Sequence, residues 1–258
     1  MGFSCLISAL VATQSQMAAS PFNGTWLMEI PRNKNAEPES FSLNRGIFSR
    51  GDAKSKVAIK TDGRFQPIPD DGYVDAISVA IVSPREIREQ DRFKGKLVYS
   101  VTYRVSVDGN TLTRKVVDFS KPDSRPIPTV ITDRRIGKAR SGESLISGIW
   151  QTDQIKTTRS HLTENIKIVG SRFISSRPGG AGYDATIGGP PAPMRGDAAD
   201  ARVAVSMPND RMAVINMSRN GKLTVRMTMM LLPNGRTINV SARRLSDGID
   251  TKWILRKQ

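Results

Sequence analysis

The sequence predicts an all-β protein built from two tandem, small antiparallel up-and-down barrels. Apolar and polar side chains alternate from Lys96 to Val107, which is the period-two pattern of a half-buried strand. Asp108-Gly109 follows as a tight turn, because glycine tolerates the positive φ that a hairpin turn needs. A second hairpin begins at Lys222, 126 positions later, and no long helical period occurs in the chain.

Residues 1–20 have the features of an export signal. They carry no charge, and residues 3–12 form an apolar run as long as a signal-peptide core, followed by small residues at 18–20. The run is too short to span a bilayer, so we expect a periplasmic or secreted protein without a transmembrane segment in the mature chain. A disordered or strand-paired terminus is the alternative, because no basic residue precedes the run.

The internal repeat predicts the domain boundaries. Gly24-Thr25-Trp26 begins the first unit and Gly148-Ile149-Trp150 begins the second, 124 positions later. A repeat of about 120 residues is far longer than a solenoid repeat, so each copy is expected to be a domain. We therefore predict one barrel over residues 21–136, a polar linker over 137–146 and a second barrel over 147–258.

Each predicted strand is bounded by Gly, Pro, Asn or Asp, the residues that form turns. The predicted strands of the first unit cover residues 24–26, 41–48, 56–60, 75–81, 85–91, 96–107, 111–119 and 129–136. Those of the second unit include residues 148–150, 200–205, 211–217, 222–231, 237–240 and 252–255.

The order of short turn and strand-start motifs, here called marks, resembles that of the lipocalin-like domain proteins of bacterial envelopes. In the first unit the marks are Gly24-Thr25-Trp26, Asp62-Gly63 with Pro67, Asp75-Ala76, Gly95-Lys96 and the run from Asp108 to Thr113. The second unit keeps Gly148-Ile149-Trp150, Gly189 with Pro193, Asp200-Ala201, Gly221-Lys222 and the run from Asn234 to Asn239. The resemblance implies a signal peptide and an up-and-down barrel. It implies no catalytic residues.

Composition limits the choice of partners. The formal net charge is +15, and the positive charge is spread over both halves of the chain. A specific nucleic-acid-binding arm would concentrate that charge, so we expect either a solvated basic surface or attraction to an anionic envelope surface. Cys5 is the only cysteine, which excludes a disulfide framework and a zinc site built on several cysteines.

The sequence gives no support for an enzyme, a metal site or a cofactor. His161 is the only histidine, and no nucleophile elbow accompanies it. Asp70, Asp71 and Asp75 lie where turns use aspartate, and no calcium-loop pattern surrounds them. The glycine-rich segments at 177–182 and 188–191 do not complete a phosphate-binding loop.

The barrel interiors are the remaining candidate site. A tryptophan on the first strand can close one end of a small barrel, and a small eight-stranded barrel either fills its interior or holds one ligand. The candidate ligand contacts are Trp26, Tyr99, Val101, Tyr103, Trp150, Val225, Met227 and Met229. We therefore expect a non-catalytic protein that binds a small apolar or amphipathic molecule. A basic interaction module with filled barrels, which binds an anionic envelope polymer or a protein, is the alternative.

Overall fold

The computed structural model describes residues 19–29, 38–51, 56–69, 74–120, 125–139, 142–197, 200–245, 248 and 250–258. Most of the predicted signal peptide, residues 1–20, therefore lies outside the described residues. Within the described ranges, no helix has both the length and the apolar character needed to cross a membrane.

Strands dominate the described part of the chain. Its first half contains β1 (Gly24–Glu29), β2 (Glu39–Asn44), β3 (Ile47–Gly51), β4 (Lys56–Lys60), β5 (Gln66–Pro67), β6 (Ala76–Ser83), β7 (Glu86–Phe93), β8 (Lys96–Val105), β9 (Thr111–Asp118) and β10 (Ile127–Ile136). Its second half contains β11 (Gly148–Thr157), the short helix α1 (Arg159–Leu162), β12 (Thr163–Val169), β13 (Arg172–Ser176), β14 (Gly182–Thr186), β15 (Ala192–Pro193), β16 (Arg202–Asn209), β17 (Met212–Arg219), β18 (Lys222–Leu231), β19 (Thr237–Arg244) and β20 (Asp250–Lys257).

The strands form two antiparallel sheets of ten strands each. The first barrel has the order β4-β3-β2-β11-β10-β9-β8-β7-β6-β5, and the second barrel has the order β14-β13-β12-β1-β20-β19-β18-β17-β16-β15. Backbone hydrogen bonds connect the ends of each sheet: Gly63 donates to Val79 (2.9 Å), and Gly182 and Arg195 exchange two bonds (2.7 and 3.1 Å). Both sheets are thus nearly closed, which confirms the predicted all-β class and barrel architecture.

The first strands of the two units are exchanged between the barrels. Strand β1 pairs with β12 and β20 in the second barrel. Strand β11 pairs with β10 and β2 in the first barrel. The sheets therefore divide the chain differently from the predicted ranges 21–136 and 147–258. The repeat could not reveal this, because β1 and β11 carry the same Gly-x-Trp mark and fit either barrel.

A tryptophan fills one end of each barrel. Trp26 and Trp150 are fully buried, and their indole N–H groups donate to the backbone carbonyls of Phe22 (2.8 Å) and Ile146 (3.0 Å). Phe22 and Ile146 are also fully buried. Both tryptophans are therefore core residues, as the sequence predicts, and Ile146, at the end of the predicted linker, belongs to the core as well.

A basic side chain covers each tryptophan. The guanidinium of Arg135 lies 4.1 Å from the Trp150 ring, and the ammonium of Lys257 lies 5.3 Å from the Trp26 ring. Gly148 and Gly24 make room for these side chains: a Cβ at either position would collide with Arg135 or Lys257, and their φ values of +152° and +146° also favour glycine.

The predicted hairpins are present as β8–β9 and β18–β19. A β-bulge interrupts the pairing of β7 with β8, and an equivalent bulge interrupts that of β17 with β18. Because a bulge re-aims the side chains that follow it, Val98 rather than Leu97 is buried in the core. The shared bulge keeps the two barrels in the same register, so their interiors can be compared position by position.

Candidate functional site

The predicted ligand contacts fall into two groups inside the barrels. Trp26 and Trp150 lie buried at the tryptophan-filled ends. The other six belong to inward-facing rows of β8 and β18, where they alternate with side chains that point outward. They are Tyr99, Val101 and Tyr103 in the first barrel and Val225, Met227 and Met229 in the second. Tyr103 and Met229 are buried, whereas Tyr99, Val225 and Met227 are partly exposed.

An ion pair occupies the interior of the first barrel beside Tyr103. Glu89 is 1% exposed and accepts hydrogen bonds from Nε and Nη2 of Arg50 (3.1 and 2.8 Å). The Tyr103 hydroxyl donates to the same carboxylate (3.0 Å). Burial and then the charge of Glu89 raise the pKa of Tyr103 well above its ordinary value. Tyr103 is therefore a neutral donor held by Glu89.

A second ion pair lies on the opposite side of Tyr103, centred on Arg114. Arg114 donates from Nε and Nη2 to both oxygens of Asp133 (2.7 and 2.9 Å) and from Nη1 to Glu39 (2.8 Å). Thr152 adds a hydrogen bond to Asp133 (2.9 Å). Burial alone lowers the pKa of Arg114, but the hydrogen bond with Asp133 and the charge of Glu39 outweigh burial and raise it. The two ion pairs form a charged layer across the first barrel.

Sequence reasoning missed this charged layer, although a signal was available. In β7, Glu89 and Asp91 have the same parity as Ile87 and Phe93, which are buried. Period-two alternation therefore places both acids on the inward face. The sequence predicts a strand at residues 85–91, but that prediction did not assign its acidic residues to the inward face.

The second barrel replaces most of the charged layer with apolar side chains. The pairing registers align the two barrels residue by residue around the interior. Arg50, Glu89, Asp91, Tyr103, Arg114, Asp133 and Thr152 correspond to Ser175, Ile215, Met217, Met229, Val240, Leu255 and Met28, respectively. Glu39 corresponds to Glu164, so this position alone of the layer is acidic in both barrels.

Methionines also line the second barrel beyond Trp26. Met28, Met217, Met227 and Trp253 pack against the buried core while remaining partly exposed. One polar cluster interrupts this lining: Glu164 accepts a hydrogen bond from Ser175 (2.7 Å) and from Arg177 (3.1 Å). Such a surface can adapt to the shape of an apolar molecule, because methionine is unbranched and polarisable.

Other sequence candidates have structural roles. Asp62 accepts a hydrogen bond from the backbone N–H of Arg64 two residues later (2.9 Å), as a turn residue does. Asp75 instead accepts one from the backbone N–H of Lys94, in the turn between β7 and β8 (2.6 Å). Asp70 and Asp71 lie outside the described residues. His161 lies in the short helix α1. Among the residues that the structure places, no three His, Cys, Asp or Glu side chains gather at metal-binding distance.

A groove of about 800 Å³ lies along β2 and the segment that joins β10 to β11. Arg45, Lys138, Ile136 and Ile149 are among its lining residues. None of the predicted ligand contacts lines this groove.

Comparison with known proteins adds no family assignment: no protein-family model matches the chain, and no curated protein matches it. The lipocalin-like resemblance therefore rests on the marks in the sequence.

Proposed function

We propose that this is an exported, non-catalytic, lipocalin-like protein that binds a small apolar or amphipathic molecule inside its second barrel. The observation that supports the proposal is the largely apolar interior of that barrel: except for Glu164, uncharged side chains occupy the positions equivalent to the charged layer of the first barrel, and methionines lie among them. Partly exposed, inward-facing Met28, Met217 and Met227 offer apolar surface that a ligand can cover. Burial of apolar surface contributes roughly 25 cal/mol per Å².

The first barrel is less suited to the same ligand. Its interior side chains Arg50, Glu89, Arg114 and Asp133 already satisfy one another, and an apolar molecule placed among them would break these pairs. Uncompensated burial of such charges is costly. The ligand is therefore expected to lie against Val225, Met227 and Met229 rather than against Tyr99, Val101 and Tyr103.

The test uses an environment-sensitive apolar fluorophore, N-phenyl-1-naphthylamine, with two variants of β18. Met227 faces the interior, whereas its neighbour Met230 is 47% exposed on the outside. We expect Met227→Gln to weaken probe binding about tenfold or more, because the amide loses hydration when the probe covers it. Met230→Gln is the matched control and retains the affinity of the wild type. Equal affinity in both variants would place the binding site elsewhere.

Export and ligand identity need protein from the natural host. Mass spectrometry of that protein tests whether residues 1–20 are removed, and solvent extraction followed by mass analysis identifies any apolar molecule that co-purifies. A clean mass without a ligand, together with no shift on addition of a lipid panel, would contradict the cavity proposal.

The alternative is a basic module that binds an anionic envelope polymer. One observation favours it: among the described residues, the buried acids outnumber the buried bases, so the exterior is more basic than the composition suggests. The buried acids are Glu89, Asp91, Asp118, Asp133 and Glu164, and the buried bases are Arg114, Arg135 and Arg219. A polymer complex would weaken steeply as salt rises, whereas a ligand held in the barrel would not.

A further inference from the structure

In the described part of the second barrel, two buried hydrogen-bond donors have no acceptor. Tyr183 is 5% exposed, and within the described ranges its hydroxyl has no hydrogen-bond partner. The indole nitrogen of Trp253 is buried and also has no partner in this part of the chain. Folded proteins pair nearly all such groups, so each unpaired donor needs an explanation.

Both donors belong to the inward-facing lining of the same barrel. Tyr183 lies opposite Ser175 in the pairing of β13 with β14, and its ring stacks on Phe173 in the core (centroids 6.1 Å apart). Trp253 lies opposite Val240 in the pairing of β19 with β20 and packs against the same core. The Ser175 hydroxyl donates its proton to Glu164 (2.7 Å) and, although its lone pairs could accept, it does not reach hydrogen-bonding geometry with the Tyr183 hydroxyl.

The chemistry of the donors specifies the missing group. An indole N–H can only donate, and a tyrosine hydroxyl donates one hydrogen. Burial and then the charge of Glu164 raise the pKa of Tyr183, so this hydroxyl keeps its proton at neutral pH. The complementary atoms on a ligand are therefore acceptor oxygens.

The charges nearby select a neutral acceptor over an anionic one. Glu164 is buried, while its partner Arg177 is 39% exposed and is screened by water. A second ion pair, Arg219 with Asp197 (2.8 Å), has no net charge. The least screened charge near Tyr183 is thus negative, and a carboxylate or phosphate placed there would be repelled.

We propose that the second barrel binds a neutral amphiphile, such as a long-chain alcohol or an acyl ester, whose hydroxyl or ester oxygens accept hydrogen bonds from Tyr183 and Trp253. The hydrocarbon chain lies on Met28, Met217 and Met227. This inference rests on the proposed function and narrows its ligand to one chemical class.

The test compares four ligands of equal chain length by displacement of N-phenyl-1-naphthylamine from the full protein: dodecane, dodecanol, methyl laurate and laurate. We expect dodecanol and methyl laurate to bind about tenfold more tightly than dodecane, the effect of one good hydrogen bond, and more tightly than laurate. Equal affinities for all four would refute the oxygen contacts while leaving apolar binding intact. Tightest binding of laurate would refute the neutral class.

Two conservative variants locate the contact. Tyr183→Phe and Trp253→Phe remove the donors and keep aromatic rings. We expect each variant to weaken the binding of dodecanol about five- to tenfold and to change the affinity for dodecane less than about twofold. Tyr99→Phe, in the first barrel, is the control and leaves both affinities unchanged. If a variant does not fold, the wild-type ligand series decides the question alone. Loss of all binding in the wild type would instead refute the proposed function.

Discussion

Arg114 shows how one side chain depends on its partners. It is buried with Asp133 and bound through two parallel hydrogen bonds, a geometry that makes a strong pair. Removal of one member of a buried pair leaves the other charged and unsatisfied. The second barrel offers the matched replacement, because Val240 and Leu255 occupy the equivalent positions.

We predict that Arg114→Val alone lowers the free energy of unfolding by about 3–5 kcal/mol, because Asp133 becomes an unpaired buried charge. The double variant Arg114→Val with Asp133→Leu is expected to recover most of that loss. Urea denaturation followed by tryptophan fluorescence measures both. A double variant as unstable as the single one would show that the pair stabilises the barrel beyond mutual neutralisation.

Tyr183 gives the protein a pH dependence in the alkaline range. Its pKa is raised in the folded state by burial, and unfolded tyrosine titrates near pH ~10. Above that pH the unfolded chain loses the proton first, so the unfolded state binds fewer protons and stability falls as pH rises.

We predict that Tyr183→Phe reduces the alkaline loss of stability by up to about 1.4 kcal/mol per pH unit above pH ~10. The measurement is urea denaturation of wild type and variant at a series of pH values from neutral to alkaline. At pH values below the pKa of unfolded tyrosine, the difference in free energy of unfolding between wild type and variant is expected to be constant. Identical slopes at alkaline pH would contradict the prediction.

At the scale of the strand, the pairing of β10 with β11 depends on glycine. Gly148 has φ of +152°, and a Cβ there would collide with the guanidinium of Arg135 over Trp150. Gly137, just after β10, also has positive φ (+78°), but a Cβ there would meet no atom within 4 Å. Comparison of alanine substitutions at the two positions therefore distinguishes the cost of backbone strain from the cost of steric collision.

We predict that Gly148→Ala destabilises the protein by about 2–4 kcal/mol, from backbone strain together with displacement of Arg135. Gly137→Ala is expected to cost only about 1 kcal/mol, from the left-handed backbone alone. Thermal unfolding of both variants makes the comparison. Equal losses of stability in the two variants would show that the position of Arg135 over Trp150 does not contribute to stability.

The positions of the strands could be predicted from the sequence better than their pairing within the barrels. Alternation and turn residues located both hairpins, because they depend on neighbours in sequence. The charged layer was hidden because Glu89 and Asp133 look like ordinary polar positions until the inward parity of their strands is known. Tyr183 and Trp253 lie on β14 and β20, which are separated by three strands in the sheet. They line the same interior only because the sheet closes into a barrel, and no local sequence pattern predicts that closure.

At the scale of the whole molecule, the exchange of first strands determines which segments contain a complete sheet. Strands β2–β11 are contiguous in sequence and form the entire first barrel. The range 21–136 instead lacks β11 and carries β1, whose partners β12 and β20 lie in the other half.

We predict that the fragment 38–157 folds alone and unfolds cooperatively, because it contains all ten strands of the first barrel. The fragment 21–136 is expected to aggregate or remain unfolded, since β2 and β10 would be left as open edges. Near-ultraviolet circular dichroism and size-exclusion chromatography distinguish these outcomes. A stable monomer of 21–136 would show that β1 can replace β11 within its own unit.

The exchange also bears on the origin of the chain. A single ancestral unit that gave its first strand to a neighbour could close its sheet only by receiving the same strand from a second copy, as in a symmetric domain-swapped dimer. Fusion of two such copies yields the reciprocal pairing of β1 and β11 seen in one polypeptide. Once fused, the two interiors are specified by separate residues and are free to diverge. Interiors encoded by separate residues need not match, and here one holds charged pairs while the other is largely apolar and contains methionines.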